Sequence, residues 1–271
     1  MSTSPKVIAE SPLVLETHDE GVVALKLNRP ERLNALNKEL IAALYDALCR
    51  LAGDKNTRVV TITGLGRAFC AGGDLGVIGK SRDENDLAAL EPLLRTGVQA
   101  VLKMRTMQQP VIAAINGPAA GAGMNIALAA DMRVASEAAT FGQNFAKVGL
   151  YPDYGGTYFL PELIGPARAA EMFYTGDMID AQTALRLGIV NRVVPAEQLE
   201  SETMALAQKI AQGPTRAIRA VKHALFGSSK AKLAKFLERE VQEQMDCFLS
   251  EDCCEGIRAF MEKRKPNFKG K

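Results

Sequence analysis

The amino-acid sequence predicts an α/β fold. Short apolar runs typical of buried strands occupy residues 59–63 and 111–115, while apolar residues recur at helical spacing through 38–51 and 87–107. Because strand-like and helix-like segments alternate, parallel strands joined by helical crossovers are expected. Beyond residue 195 the pattern is almost entirely helical, which indicates a C-terminal helical layer with little sheet of its own.

The individual elements can be taken in order. The strand candidates share an apolar core bounded by turn residues, and they are residues 13–15, 22–27, 59–63, 111–115, 132–135 and 192–194. The later helix candidates share apolar positions three or four residues apart, and they end near residues 187, 211, 225, 249 and 261. Asp180 or Thr183 can cap the first of these later helices, and Ser250 the last. The charged run 80–86 is expected to be a mobile loop.

The composition is that of a globular protein with a substantial core. The chain has 271 residues, of which 47% are hydrophobic and 24% charged. Its 33 basic and 31 acidic residues give a net charge of +2, which offers no general argument for nucleic acid as a partner. Five cysteines without zinc-like spacing are expected to be reduced thiols, with no metal site. No apolar run is long enough to cross a membrane and residues 1–12 lack a signal-peptide core, so a cytoplasmic protein is expected.

Two loops rich in small residues follow successive strands and could face one another. The first is Phe-Cys-Ala-Gly-Gly-Asp-Leu at 69–75, and the second, at 116–125, contains Gly-Ala-Gly and leads into a helix. The first N–H groups of a helix are unpaired, and its dipole favours negative charge there. Neither a dinucleotide-binding loop nor a P-loop fits the spacing. The second loop therefore predicts an anion or oxyanion site, unless residues 121–123 serve only close packing.

Several motifs, in order along the chain, resemble those of the crotonase family, which includes enoyl-CoA hydratases and isomerases. They are Leu-Asn-Arg-Pro at 27–30, Leu-Asn-Ala-Leu at 33–36, residues 68–75, residues 110–131, Gly-Gly-Thr at 155–157 and the tail 260–268. The resemblance implies a crotonase-like ββα spiral core over residues 1–195. It also implies that residues 196–271 form a helical trimerisation region, which would give a homotrimer or hexamer.

The resemblance further implies an acyl-CoA thioester substrate, with coenzyme A as part of the substrate and no tightly bound cofactor. The backbone N–H groups of Gly73 and Ala122 would hold the thioester oxygen. Ala122 stands where the family usually has glycine, so the site should survive unless a positive φ is required there. The implied contacts with coenzyme A are Arg32, Ala35, Ala71, Asp74 and Leu75, together with Phe260 and Lys263 of a neighbouring subunit.

The chain departs from the hydratases that it resembles. Hydration needs two carboxylates, but the corresponding positions hold Asn125 and Phe145. Asp153 stands where several isomerases of the family place an acid-base aspartate; its alternative role is to stabilise the turn before Gly155. An apolar pocket would raise the pKa of this aspartate and exclude water. The residues expected to line that substrate pocket are Asn125, Phe145, Leu150, Tyr151 and Tyr154.

The resulting prediction is an acyl-CoA isomerase with Asp153 as its single acid and base. It would move a double bond from the β,γ to the α,β position or rearrange a ring-derived acyl-CoA. The alternative among enzymes is an enoyl-CoA hydratase, or another lyase of the family, with atypical catalytic groups. From a different class, the alternative is a non-catalytic member that binds acyl-CoA or RNA. The sequence leaves open whether the pathway degrades fatty acids or aromatic acids.

Overall fold

The computed structural model describes residues 11–271. Residues 1–10, which include most of the segment expected to carry no targeting signal, lie outside the described residues. The strands are β1 (Leu13–Thr17), β2 (Val22–Leu27), β3 (Val59–Gly64), β4 (Val111–Ile115), β5 (Ala119–Ala120), β6 (Met132–Ser136), β7 (Thr140–Gly142), β8 (Met178–Asp180) and β9 (Arg192–Val194).

The helices cover both faces of the main sheet and fill the C-terminal part of the chain. They are α1 (Lys38–Gly53), α2 (Leu75–Asp83), α3 (Leu90–Thr106), α4 (Ala122–Ala129), α5 (Gly156–Ile164), α6 (Pro166–Thr175), α7 (Ala181–Leu187), α8 (Leu199–Ala211), α9 (Thr215–Phe226), α10 (Lys230–Leu249) and α11 (Glu251–Met261). Asp180 caps α7 by accepting a hydrogen bond from the Thr183 N–H, and Ser250 caps α11, as predicted.

The main sheet has the order β1-β2-β3-β4-β6-β9, and only β1 runs antiparallel to its neighbour. Its central strands are apolar along their length because both faces are covered. Val23 and Leu25 face the larger core cluster with α1 and α3, whereas Val22 and Val59 face a smaller one with α8. The predicted alternation of parallel strands and helices is therefore confirmed.

A second sheet, with the order β5-β7-β8, lies beside the small-residue loop. Its strands have two or three residues each, which is too short for a periodic pattern to show in the sequence. The prediction of a loop at residues 80–86 was wrong for residues 80–83, because α2 extends to Asp83. The Asp74 carboxylate starts this helix by accepting a hydrogen bond from the Gly76 N–H.

Helix α9 is attached to the core through a buried lysine. The Lys222 ammonium lies 2.8 Å from the Asp131 carboxylate and donates to the carbonyl oxygens of Met104 and Gln109 at 2.9 and 2.7 Å. Burial lowers the pKa of Lys222, although the neighbouring Asp131 opposes that shift. This lysine joins the C-terminal helices to the end of α3, and all of its donors have acceptors.

The two small-residue loops approach each other at backbone distance. The Ala120 N–H donates to the Cys70 carbonyl at 3.0 Å, and Cys70 pairs with Ala119 as in a parallel sheet. A Cβ atom at Gly123 would overlap the Cys70 carbonyl oxygen. Glycine is therefore required at the start of α4 for this approach.

Gly123→Ala should destabilise the protein, because the overlapping atom belongs to the backbone of the facing loop and cannot rotate away. The expected loss is about 1–3 kcal/mol in the free energy of unfolding. Helix propensity alone would favour alanine by about 1 kcal/mol. The sign of the change in the free energy of unfolding therefore distinguishes the two effects. The matched control is Gly53→Ala at the end of α1, where an added Cβ would have no neighbour within 4 Å. Urea unfolding that shows both variants equally stable would contradict this account.

Candidate active site

One cavity of about 1000 Å³ lies where the small-residue loops, α3, α10 and α11 meet. Most residues of the predicted site contribute to its wall, and these are Arg32, Ala35, Ala71, Gly73, Asp74, Leu75, Ala122, Phe145, Leu150, Asp153, Tyr154, Phe260 and Lys263. Asn125 and Tyr151 are not part of the wall. The fold thus brings residues from distant parts of the chain to one cavity.

Two backbone N–H groups are available at the meeting point of the loops. Within residues 11–271, neither the Gly73 nor the Ala122 N–H donates a hydrogen bond. The Leu36 N–H donates to the Gly72 carbonyl at 2.7 Å and holds the first loop in place. Ala122 is the first residue of α4, where the N–H has no intrahelical acceptor. This pair can donate two hydrogen bonds to one oxygen atom of a ligand.

The turn before α4 explains why alanine is accepted at position 122. Gly121 has a φ of 51° and ψ of −128°, which disfavours any residue with a side chain. Ala122 itself has no positive φ. The unusual backbone conformation is therefore confined to the preceding glycine, and the alanine N–H keeps its orientation without strain.

Asp153 is a buried carboxylate in the cavity wall. Its side chain is only 7% exposed, and its Oδ1 atom has no hydrogen-bond partner among the described residues. The Oδ2 atom accepts a hydrogen bond from the Gln244 amide at 3.4 Å. Burial, together with the nearby Glu240 charge, raises the pKa of Asp153 from 3.8 to about 8. This carboxyl group can gain and lose a proton near neutral pH.

Asn125 holds the backbone of the Asp153 segment from beneath. Its amide nitrogen donates to the Asp153 carbonyl at 2.7 Å, while its oxygen accepts from the Gln143 amide at 2.7 Å. A Cβ atom at Gly156 would come within 2.6 Å of the Asn125 amide nitrogen. The position that carries a carboxylate in the resembled hydratases is thus used here to support the Asp153 segment.

Two aromatic side chains line the same cavity as Asp153, and one of them, Tyr154, is packed against α3. Tyr154 is 3% exposed, and a Cβ at Gly97 would overlap its ring, so glycine in α3 leaves room for the tyrosine. Phe145 is 6% exposed and belongs to a short 3₁₀ helix, Asn144–Val148. These side chains, with Leu93 and Leu94, make the inner part of the cavity apolar.

Sequence reasoning missed the polar residues of α10 that hold the Asp153 segment. Glu240 accepts hydrogen bonds from the N–H groups of Gly155 and Thr157 at 2.7 and 3.1 Å. Gln244 accepts one from the Tyr151 N–H at 2.9 Å. A signal was present, since both polar residues fall within the apolar stripe of α10, whose buried members are Leu233, Leu237, Glu240, Val241, Gln244 and Phe248.

Asp74 has structural partners in addition to its place in the wall. Its Oδ2 atom lies 3.1 Å from the Arg29 guanidinium, and its Oδ1 atom caps α2. Both carboxylate oxygens are therefore engaged, in contrast to the free Oδ1 of Asp153. The wall between residues 11 and 271 contains no other carboxylate.

The C-terminal segment closes the cavity from within the same chain. Phe260 and Lys263 of this chain contribute to the wall. Contact between the same two residues of a neighbouring subunit and coenzyme A stays a prediction. Arg264 pairs with Glu255, and the Lys269 N–H donates to Asp252 at 2.6 Å. Pairing with Arg264 lowers the pKa of Glu255 to about 2. The basic tail is thus folded back onto α11.

Neither a metal cluster nor a membrane span is found in residues 11–271. No group of three or more His, Cys, Asp or Glu side chains in this range could hold a metal ion. No helix in the same range has the length and apolar character needed to cross a membrane.

The chain is similar to known proteins over nearly its whole length. The chain matches the family model described as enoyl-CoA hydratase/isomerase over residues 17–271. A probable enoyl-CoA hydratase of Rhodobacter capsulatus is 41% identical over 253 residues, which are 93% of this chain and 96% of that protein. The 1,2-epoxyphenylacetyl-CoA isomerase of Escherichia coli is 38% identical over 264 residues, covering 95% and 98% of the two chains. An enoyl-CoA hydratase structure from Mycobacterium avium subsp. paratuberculosis has a TM-score of 0.86 at 33% identity, covering 95% and 98%.

Asp153→Asn should change how stability depends on pH. Because the folded pKa of about 8 exceeds the ordinary 3.8, the stability contributed by the protonated form is lost as the pH rises towards 8. Asparagine does not ionise, so the variant should gain stability relative to the wild type, more at about pH 9 than at about pH 5. The expected difference is on the order of a few kcal/mol. Denaturant unfolding at both pH values measures it, with the exposed Asp46→Asn as control; equal effects at both would refute the raised pKa.

Proposed function

The chain belongs to the enoyl-CoA hydratase/isomerase family, and we propose that it acts within that family as an isomerase of acyl-CoA thioesters. It would move a double bond from the β,γ to the α,β position, or rearrange a ring-derived acyl-CoA. The observation that carries this proposal is Asp153, the one cavity carboxylate among residues 11–271 with an oxygen that has no partner in that range, beside two N–H groups that donate to no acceptor there. Isomerisation needs one acid-base group, whereas hydration needs two.

The reaction begins with polarisation of the thioester. The carbonyl oxygen accepts hydrogen bonds from the Gly73 and Ala122 N–H groups, which acidifies the hydrogens on the α-carbon. Donors fixed in this way stabilise the negative oxygen of the enolate more than the neutral carbonyl. They do so without rearrangement, since both N–H groups are held by backbone contacts between the loops.

Asp153 then moves one proton. In its carboxylate form it takes a proton from the α-carbon, and the electron pair of the broken C–H bond enters a dienolate. The protonated Asp153 returns that proton to the γ-carbon, and the double bond comes to lie between the α- and β-carbons. No water is consumed and the carboxylate is regenerated. A pKa of about 8 suits both steps, because the group exchanges protons readily near neutral pH.

The apolar inner wall supports isomerisation over hydration. Phe145, Leu150 and Tyr154 line the same cavity as Asp153. Phe145 stands at the position where the resembled hydratases carry their second acid-base group. A largely apolar pocket around the dienolate would exclude water from it. The basic side chains Arg32 and Lys263 lie elsewhere in the wall and would take the negative groups of coenzyme A.

Assembly into a homotrimer or hexamer also belongs to this proposal. Large apolar side chains stay exposed on the C-terminal helices of the single chain, among them Val221 at 57%, Leu225 at 63% and Leu249 at 68%. Exposed apolar side chains in such numbers support burial against another subunit.

Asp153→Asn should abolish isomerisation of a β,γ-enoyl-CoA while binding of the CoA ester persists. Loss of the acid-base group should lower turnover by roughly 10²–10⁴-fold. The measurement is the rise in ultraviolet absorbance as the conjugated enoyl thioester forms, with Asp46→Asn as the matched control. Unchanged turnover in Asp153→Asn would sink the assignment. A fall in absorbance with an α,β-enoyl-CoA and water would instead identify a hydratase.

The N–H of Ala122 can be removed with little change to the fold, because it is the first residue of a helix, where proline is accepted. Ala122→Pro should lower turnover by on the order of 10²–10³-fold. Ala122→Gly keeps the N–H and should stay within a few-fold of the wild type. Circular dichroism confirms that both variants are folded. Equal turnover by Ala122→Pro and Ala122→Gly would show that this N–H does not hold the thioester oxygen.

A further inference from the structure

Glu240 and Gln244 lie one helical turn apart on α10 and are almost completely buried, at 1% and 2% exposure. Neither takes part in the chemistry proposed above, yet both contact the segment that carries Asp153. Glu240 is joined to it by the N–H groups of Gly155 and Thr157 and by the Thr157 hydroxyl. These contacts place the buried Glu240 carboxylate against the segment of a second buried carboxylate, Asp153.

Gln244 fixes the orientation of the Asp153 carboxylate. Its oxygen accepts from the Tyr151 N–H at 2.9 Å, and its amide nitrogen donates to Asp153 Oδ2 at 3.4 Å. The glutamine therefore holds the main chain before Asp153 and one of its two oxygens. The other oxygen, Oδ1, is buried and has no partner within residues 11–271.

Glu240 provides the negative charge that faces Asp153. The titratable groups facing Asp153 are Glu240 from α10, Cys70 from the first small-residue loop and the adjacent Tyr154. Burial raises the pKa of Cys70 to about 12 and that of Tyr154 well above 10, so both are neutral at working pH. Asn125, beneath the segment, is uncharged. Glu240 is thus the group whose charge acts on Asp153.

Glu240 can carry its charge while Asp153 titrates. Burial raises the pKa of Glu240 to about 7, but the Thr157 hydroxyl and the N–H groups of Gly155 and Thr157 stabilise its ionised form. Glu240 thus has three donors, whereas the Asp153 carboxylate has one, from Gln244. The two groups form a coupled pair in which these donors favour the charge on Glu240.

We propose that Glu240 and Gln244 are positioning residues that set the charge state and orientation of Asp153 by opposite means. The charge of Glu240 favours the protonated acid, whereas the hydrogen bond from Gln244 favours the carboxylate. This inference rests on the proposed function only in that Asp153 is the proton-transferring group. It assigns to α10 control over the pH range in which the site works.

The test compares Glu240→Gln, which removes the charge and keeps an acceptor, with Gln244→Met, which removes the hydrogen bond and keeps the bulk. Isomerase turnover that requires the Asp153 carboxylate rises with pH through the pKa of that group. Without the Glu240 charge this rise should move to lower pH, and without the Gln244 hydrogen bond to higher pH, each by roughly one pH unit. Glu243→Gln, on the same helix and paired with Arg239 at the surface, is the matched control and should not move it.

A purely structural role for α10 would lower turnover or stability at every pH and leave the position of the rise unchanged. That result, or a shift of both variants in the same direction, overturns the proposal. If Glu240→Gln does not fold, Gln244→Met still tests the hydrogen bond, and a rise that stays at the wild-type pH in that variant overturns the proposal. Infrared titration of the carboxyl band that Asp153→Asn removes gives the same pKa without turnover. It therefore tests the pair even if Asp153→Asn keeps full activity and the isomerase assignment fails.

Discussion

The close approach of two backbone loops is the constraint on which the site depends. The hydrogen bond from Ala120 to the Cys70 carbonyl joins loops that follow different strands of the main sheet. The register that pairs Val60 with Val111 sets the two strand ends side by side. Gly123 then allows α4 to begin directly against the other loop. A shift of one strand against its neighbour would separate the N–H groups of Gly73 and Ala122.

Two buried sets of charges in this protein have opposite characters. Lys222 and Asp131 have opposite signs and many hydrogen bonds, so their burial connects helices to the core. Asp153 and Glu240 have the same sign, and one oxygen of Asp153 has no partner in the described part of the chain. Like charges held together in a dry place disfavour the folded state at high pH. Such an arrangement is typical of a site in which protonation matters more than stability.

Much of the architecture could be predicted because it is encoded locally. The apolar strands, the helical periodicities and the caps Asp180 and Ser250 each depend on residues a few positions apart. The crotonase-like fold and the family were confirmed by the comparisons, since ordered motifs extend over nearly the whole chain. The helix at residues 75–83 was missed because its start depends on one capping side chain, Asp74, within a charged and weakly periodic segment.

The support around Asp153 could not be predicted in the same way. Gln244 lies 91 positions after Asp153 and meets it only through the packing of α10, so no local pattern connects them. Whether alanine suited position 122 likewise depended on which residue of the turn has a positive φ, and that residue is Gly121. The placement of Asp153, Gly73 and Ala122 in one cavity agrees with their predicted roles, which stay predictions. The division of the chain at residue 195 also stays a prediction.

The conformation of the turn at Gly121 has a further consequence for divergence among such proteins. Since the glycine takes up the unusual backbone angles, the donor at position 122 contributes through its main chain, and this position does not itself require glycine. A change there would reshape the cavity wall while the donor stays in place. Single substitutions at position 122 can thus alter which ligands the wall prefers while the oxygen-binding N–H is kept. A comparison of side chains alone would not show that this backbone donor is retained.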